Sequence, residues 1–380
     1  MNLAAISIRQ TTKSIDDISM INQFLNLKIL LAFWDIIRRK DFVLGRAVQE
    51  IETKLAAFCG AKYAFGVASG TDALILSLKA CGIGPGDEVI TPAVGFFSSA
   101  AAIAWVNARP VFVDVDPDTF NINVAKIEAA ITPNTKAILP IHLNGRMADM
   151  DPVLEIARKH GLRVIVDAAQ AIGSRYKDKP IGQFGDLVCL SFNHTKIFSG
   201  FGDGGMVLTS NKELAEKVSM MRTYGAPTLG EVHSNNIIVG VASRLSPFHA
   251  AVLNINFPLL ESNIIKQREN YFLYQKLLKG VGDFTLPEER SGYFMNGYRF
   301  SIRTKRKKEL VDFLHTRGIR AIDPYAVPLP HLPAFKTLGY KIGDFPIAEE
   351  IAKESLALPV HYSLPQDEIA NIADQIKHFQ

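Results

Sequence analysis

Lys196 stands four residues beyond the apolar run 187–192, just before a glycine-rich turn, Gly200-Phe201-Gly202-Asp203-Gly204-Gly205. A lysine amine whose pKa is lowered by burial or a neighbouring cation can form an imine with an aldehyde. Most lysines are solvated surface residues, but glycines this close let backbone crowd a ligand. Asp167 closes the run Val164-Ile165-Val166, with Gln170 three residues on. A carboxylate at a strand tip can hold a proton on a pyridine nitrogen and keep the ring cationic, which is what pyridoxal 5′-phosphate (PLP) needs to act as an electron sink. The same Asp could instead cap a following helix. In Ala68-Ser69-Gly70-Thr71-Asp72 a strand-like run gives way to a helical one. Free N–H groups at a helix start attract an anion such as phosphate, although Ser69 or Thr71 would also serve as a plain N-cap. Neither the G-x-G-x-x-G fingerprint nor a P-loop is present at this turn.

The elements around these residues explain how they would meet. Short runs rich in Val and Ile at 63–67, 88–90, 111–115, 137–141, 163–166, 187–192 and 205–208 read as strands buried on both faces. Helical stretches at 72–79, 97–106, 124–130 and 152–160 separate them. Such alternation implies right-handed βαβ units and a doubly wound, mostly parallel sheet. Ligands then sit beyond the carboxyl ends of the strands, where the cradle, the carboxylate and the lysine all fall. Together they point to an enzyme that holds PLP as a Schiff base on Lys196. After residue 222 the pattern changes to long helical periodicity, 247–278, and then to an α+β stretch from 292 onward. The expected division is an N-terminal helical segment 1–41, a large PLP-binding domain 42–250 and a small C-terminal domain 251–380.

Composition limits the alternatives. At 380 residues the chain is too long for one ordinary core. With 48% hydrophobic and 21% charged residues it is not a disordered chain. The net charge of +4 is scattered, and its one dense run, Arg303 to Lys308, leads into the helical pattern 309–314, so nucleic-acid binding is not expected. The apolar stretch 18–37 is broken by Asn22, Asn26, Lys28 and Asp35, too polar for a membrane span. It reads as one or two amphipathic helices packed on the body or on a partner subunit. Residues 1–16 lack the apolar region of a signal peptide. Cys59, Cys81 and Cys189 form no disulfide framework; Cys81 and Cys189 read as small buried hydrophobes. A cytoplasmic protein is expected, with no metal site.

From Phe42 to the C-terminus the sequence resembles the DegT/DnrJ/EryC1/StrS family of PLP-dependent sugar aminotransferases, of fold type I. The resemblance rests on Phe42-Val-Leu-Gly45, Ala68 to Leu74, Pro110 to Asp116, His142-Leu-Asn-Gly145 with Asp149-Met150, and Asp167 to Gln170. It continues through Ser191-Phe192 with Lys196, Gly202 to Gly205, Ser243-Arg244-Leu245 and Leu358-Pro359. It implies a three-layer αβα domain on a mostly parallel seven-stranded sheet, plus a smaller C-terminal α+β domain. It implies that Lys196 is the Schiff-base lysine and proton shuttle, that Asp167 partners the pyridine nitrogen, and that Gln170 lies beside the ring oxygen. Gly70, Thr71 and Ser191 match phosphate ligands, and Phe96 matches the aromatic that stacks on the ring. The family's members are homodimers with shared sites. They use an amino acid, here expected to be glutamate, to aminate a nucleotide-linked keto-deoxysugar for a surface polysaccharide or natural product.

Three departures or markers bear on substrate and activity. Ala242 stands where the family has an Asn that reaches the partner's phosphate; Asn235 or Asn236 would have to replace it, or cofactor binding is weaker. Asp323-Pro324 precede Tyr325, where the family often has His. The turn reads Gly202-Asp203-Gly204-Gly205, and Asp in that place accompanies 3-amination in the family, Glu 4-amination; a 3-keto acceptor is therefore expected. A keto-inositol acceptor stays open. The histidine-for-lysine dehydratase branch is disfavoured by Lys196. The alternative of another class is a regulatory or binding protein that keeps the fold with little catalysis, for which Ala242 is the best support.

Overall fold

The computed structural model describes residues 19–379, so the reading of residues 1–16 lies outside the described part. Seven strands form the central sheet: β1 (Tyr63–Val67), β2 (Glu88–Pro92), β3 (Arg109–Val113), β4 (Thr135–Ile138), β5 (Arg163–Asp167), β6 (Leu187–Ser191) and β7 (Gly205–Thr209). Their order is β1-β7-β6-β5-β4-β2-β3. All neighbours run parallel except β7, which is antiparallel to both β1 and β6. This agrees with the expected mostly parallel sheet. Apolar side chains of β5 to β7 are buried on both faces because helices cover both sides.

Among the helices, α1 (Ser19–Arg39) and α2 (Arg46–Cys59) precede the sheet. Then come α3 (Gly70–Ala80), α4 (Phe97–Trp105), α5 (Met150–His160) and α6 (Lys212–Met221). The apolar stretch near the N-terminus is one helix, and the Phe33 ring of α1 packs edge-on against Phe248, 5.1 Å between centroids. Its other face leaves Leu30, Leu31, Trp34 and Ile37 exposed.

Four sequence expectations need correction. The stretch 124–130 is two 3-10 turns, Val124–Lys126 and Glu128–Ala130, not a helix. Asn123 caps the first turn by accepting from the Ala125 N–H at 3.1 Å, and Pro133 leaves no room to continue before β4. Strands β3 and β4 begin and end two or three residues earlier than the apolar runs 111–115 and 137–141. Val115 and Ile141 are apolar because they are buried beyond the strand ends, in isolated bridges to Ile122 and Asp167. The periodicity 247–278 divides into α7 (Pro247–Asn256) and α8 (Leu260–Leu278). Pro258 lies in the short 3-10 turn between them, where its missing N–H interrupts the helical ladder. Cys81 is half-buried rather than buried, because it caps α3 at the C-terminus. Burial still pushes the Cys59 and Cys81 thiols up to about 12, which keeps them protonated and unreactive.

Beyond α8 the chain builds a smaller α+β unit on the antiparallel pair β8 (Phe300–Arg303) and β9 (Ser355–Leu358). Its own apolar core joins Tyr271, Tyr274, Phe300, Ile302, Leu356 and Leu358. The same helix α8 contributes Leu260 and Ile264 to the core under the large sheet, so it links the two cores covalently.

Candidate active site

The carboxyl ends of β1, β5 and β6 and the amino end of the antiparallel β7 lie on one edge of the sheet. There they open into a cavity of about 650 Å³. Lys196, Asp167, Gln170, Gly70, Thr71, Ser191 and Phe96 all line it. Every site residue expected from the sequence is thus brought to one place.

The cradle comes from the start of α3. Ser69 is the N-cap, its Oγ accepting from the Asp72 N–H at 3.0 Å. The capping role and an anion site coexist, because one cap leaves other first-turn amides free. Gly70 has a steric reason to be glycine. A Cβ there would stand 2.8 Å from the Ser191 Cβ, and one on Gly205 would stand 2.3 Å from the Ser69 carbonyl oxygen. These glycines let β6, β7 and the α3 start close into a shallow cup. The Thr71 hydroxyl donates to Ser98 Oγ at 2.9 Å. Ser243 braces the same turn, donating to Asp72 Oδ2 at 2.8 Å and accepting from the Ala68 N–H.

Asp167 caps no helix; the residues after it form turns. It is buried, and its Oδ2 accepts from Ser99 Oγ at 2.6 Å and its Oδ1 from the Ala169 N–H at 3.1 Å. Burial pushes its carboxyl above the usual range, more than these two hydrogen bonds and the Lys196 charge hold it down. A buried carboxylate in that condition is completed by a cation arriving from the cavity, and a pyridinium N–H is such a partner. Gln170 is oriented by its Oε1, which accepts from the Asn144 N–H at 2.8 Å and lies 3.4 Å from the Tyr325 hydroxyl.

Lys196 is half-buried on the loop after β6. Its Nζ is 3.5 Å from the Tyr298 hydroxyl and 5.1 Å from that ring's centroid. Burial raises the Tyr298 phenol, but the Lys196 and Arg299 charges and hydrogen bonds with Thr195 and Lys196 outweigh it, and the net shift is downward. Asp203 holds the lysine loop: its Oδ1 accepts from Asn193 Nδ2 at 2.7 Å, and the Asn193 carbonyl accepts from the Lys196 N–H at 2.9 Å. Phe96 is 65% exposed at the cavity mouth, a face open for stacking.

Sequence reasoning missed Ser99, Tyr298 and Arg299. Ser99 carried a weak signal as part of the Ser98-Ser99 pair after Phe96. Tyr298 and Arg299 carried none, since they arrive from the C-terminal unit. Arg299 donates to the Tyr325 hydroxyl at 3.0 Å, and Tyr325 donates to Asn144 Oδ1 at 3.0 Å. Asp323, which lines the cavity, is engaged by Lys307. Ala242 is exposed and sits in an isolated bridge to Thr223. Asn235 donates to Glu231 Oε2 at 2.6 Å and Asn236 to the Tyr224 carbonyl at 2.8 Å. Among the described residues no His, Cys, Asp or Glu cluster could hold a metal ion, and no helix is long and apolar enough to cross a membrane.

Comparison with known proteins fits this geometry. The chain is 41% identical over 365 residues to a pleiotropic regulatory protein of Geobacillus stearothermophilus, covering 96% of this chain and 97% of the relative. It is 39% identical over 350 residues to a UDP-N-acetyl-3-dehydro-alpha-D-glucosamine 3-aminotransferase of Acidithiobacillus ferrooxidans, covering 92% and 93%. The crystal structure of S. venezuelae DesV in complex with a ketimine intermediate superposes with a TM-score of 0.90 at 35% identity, covering 94% of this chain and 95% of that one. The model of the DegT/DnrJ/EryC1/StrS aminotransferase family matches residues 26–377. The match begins ahead of Phe42 and takes in part of α1, earlier than the motifs alone reach. From residue 26 to residue 377 the chain belongs to the DegT/DnrJ/EryC1/StrS aminotransferase family, and it is a PLP-dependent sugar aminotransferase of fold type I.

Proposed function

We propose that this enzyme moves an amino group from glutamate to a nucleotide-linked 3-keto sugar, with Lys196 as the covalent anchor of the cofactor and Asp167 as the partner of its ring nitrogen. The observation that carries the reading is that Lys196, Asp167 and the Gly70–Ser191 cup line one cavity. When bound there, PLP supplies a cationic ring that accepts electrons from the substrate carbon. The protein's own residues do the rest. Ser69, Gly70, Thr71 and Ser191 hold the phosphate. Buried Asp167 keeps the ring nitrogen protonated, with Ser99 fixing the carboxylate. Gln170 would lie beside the ring oxygen, and Phe96 would stack on the ring face. Once freed, the Lys196 amine takes a proton from one carbon and returns it to another, and the Tyr298 hydroxyl orients that amine. Mass spectrometry after borohydride reduction tests the anchor: the cofactor mass must be found on the peptide containing Lys196, and its absence there refutes the assignment.

The shape of the cup makes a further prediction. Gly70→Ala places a methyl against Ser191, so cofactor affinity falls about tenfold or more, equivalent to ~1.4 kcal/mol. The same contact strains the cofactor-free chain, so its melting temperature falls modestly and affinity is read on the folded protein. Unchanged affinity by spectral titration would remove the cup from the phosphate site.

The 3-keto preference rests on Asp203 and on the Acidithiobacillus relative, whose name specifies a 3-dehydro sugar. Asp203 reaches Asn193 at 2.7 Å, so the length of its side chain sets the position of the Lys196 loop. With paired 3-keto and 4-keto nucleotide sugars, the 3-keto compound is expected to be aminated at least tenfold faster. Amination of only the 4-keto compound would overturn the preference and leave Lys196 untouched. A homodimer is supported by the exposed apolar face of α1, formed by Leu30, Leu31, Trp34 and Ile37. The unreactive thiols suit the cytoplasm. A regulatory role is favoured by the Geobacillus relative's name and by Ala242; absence of any amine transfer would select it.

A further inference from the structure

A second cavity, of about 410 Å³, lies between the loop 117–120, the turn at Asn144–Arg146 and strand β8. Alternation along β8 sends Phe300 and Ile302 into the C-terminal core. Arg299, Ser301 and Arg303 fall on the opposite face, and all three line the cavity. Arg303 is engaged by Glu350 and Glu354, and Arg290 by Asp116 and Asp118. Arg146 and Arg299 are different: they donate to the Asp118 carbonyl at 2.8 Å and to the Tyr325 hydroxyl at 3.0 Å, neither of them a carboxylate. Arg146 also lies beside the Tyr271 hydroxyl and is only 6% exposed. Ser301 is equally buried, and its Oγ has no hydrogen-bond partner. Lys279 stands exposed on the wall, which Glu288 also lines. A buried guanidinium without a counter-charge and a buried hydroxyl without a partner are both costly, and both are relieved by one anion between them.

We propose that this cavity binds a small oxyanion, phosphate or carboxylate, held by Arg146, Arg299 and the Ser301 hydroxyl. The site is separate from the cofactor cup and shares only Arg299 with the first cavity. Guanidinium forks match either oxyanion in a bidentate manner, so geometry leaves the source to the titration.

The test is calorimetric titration of the holoenzyme, in which the cofactor's own phosphate fills the cup, with inorganic phosphate and separately with succinate at constant ionic strength. One saturable site is expected for at least one of them, and the tighter ligand identifies the source. Ser301→Ala removes the donor without adding bulk to this buried position, and weakens binding about tenfold or more. Lys279→Gln, on the exposed wall, weakens it severalfold and flattens its dependence on salt. Titration that stays linear with both anions overturns the proposal. So does wild-type affinity in Ser301→Ala that melts normally. If Ser301→Ala does not fold, unchanged affinity in Lys279→Gln overturns it instead.

Discussion

Lys196→Ala abolishes amine transfer and the borohydride-fixed cofactor adduct while the fold survives. The side chain is half-buried on a loop, and its amine lies 3.5 Å from the Tyr298 hydroxyl. Its removal therefore costs little packing, and melting should be close to that of the parent. Among the described residues no other lysine lines the cavity, so none of them places a second amine to take over the anchor or the proton transfer. The measurement is paired: turnover with glutamate and a keto-sugar nucleotide, and the mass of the reduced protein. An adduct that persists in the variant would move the anchor elsewhere in the chain.

Asp167→Asn keeps the shape and loses the charge. Ser99 can still donate to the amide oxygen in place of Oδ2, while the amide nitrogen takes the Oδ1 place and the hydrogen bond from the Ala169 N–H is lost. The ring nitrogen loses the anion that keeps it protonated. Removal of one such charge contact in a water-excluded site costs ~10²–10³ in rate, and kcat is expected to fall by about that factor while the cofactor stays attached to Lys196. The absorption of the bound cofactor should shift with the protonation of its ring. A variant with near-parental kcat would take the role away from Asp167. The same substitution is mild for the empty chain, because burial already pushes this carboxyl up and the amide removes a group that is costly to ionise.

Residues that act near their own strand end were legible in the sequence. Asp167, Ser191 with Lys196, and Ser69 to Thr71 each follow an apolar run by a few positions, and the run fixes the strand whose tip carries them. Buried parallel strands advertise themselves as Val and Ile runs, so β5 to β7 were placed with near-correct ends. What depended on distant parts of the chain was hidden. Ser99 meets Asp167 from 68 residues away, and Tyr298 meets Lys196 from 102 residues away. Neither contact leaves a mark in local periodicity. Val115 and Ile141 misled the strand ends because burial, not pairing, made them apolar. The glycine-rich turn was read as room for a ligand. Its Asp203 also has a mechanical role, bracing Asn193 below Lys196, which residue type alone did not reveal.

The central claim is that this chain carries nitrogen from an amino acid to a sugar through Lys196. Incubation of the holoenzyme with isotope-labelled glutamate and a UDP-linked 3-keto sugar tests it most directly. The predicted result is an amino sugar nucleotide carrying the label, formed by the parent protein and absent with Lys196→Ala. Label that never reaches the sugar with the parent, across 3-keto and 4-keto acceptors alike, or that reaches it equally with the variant, would contradict the claim.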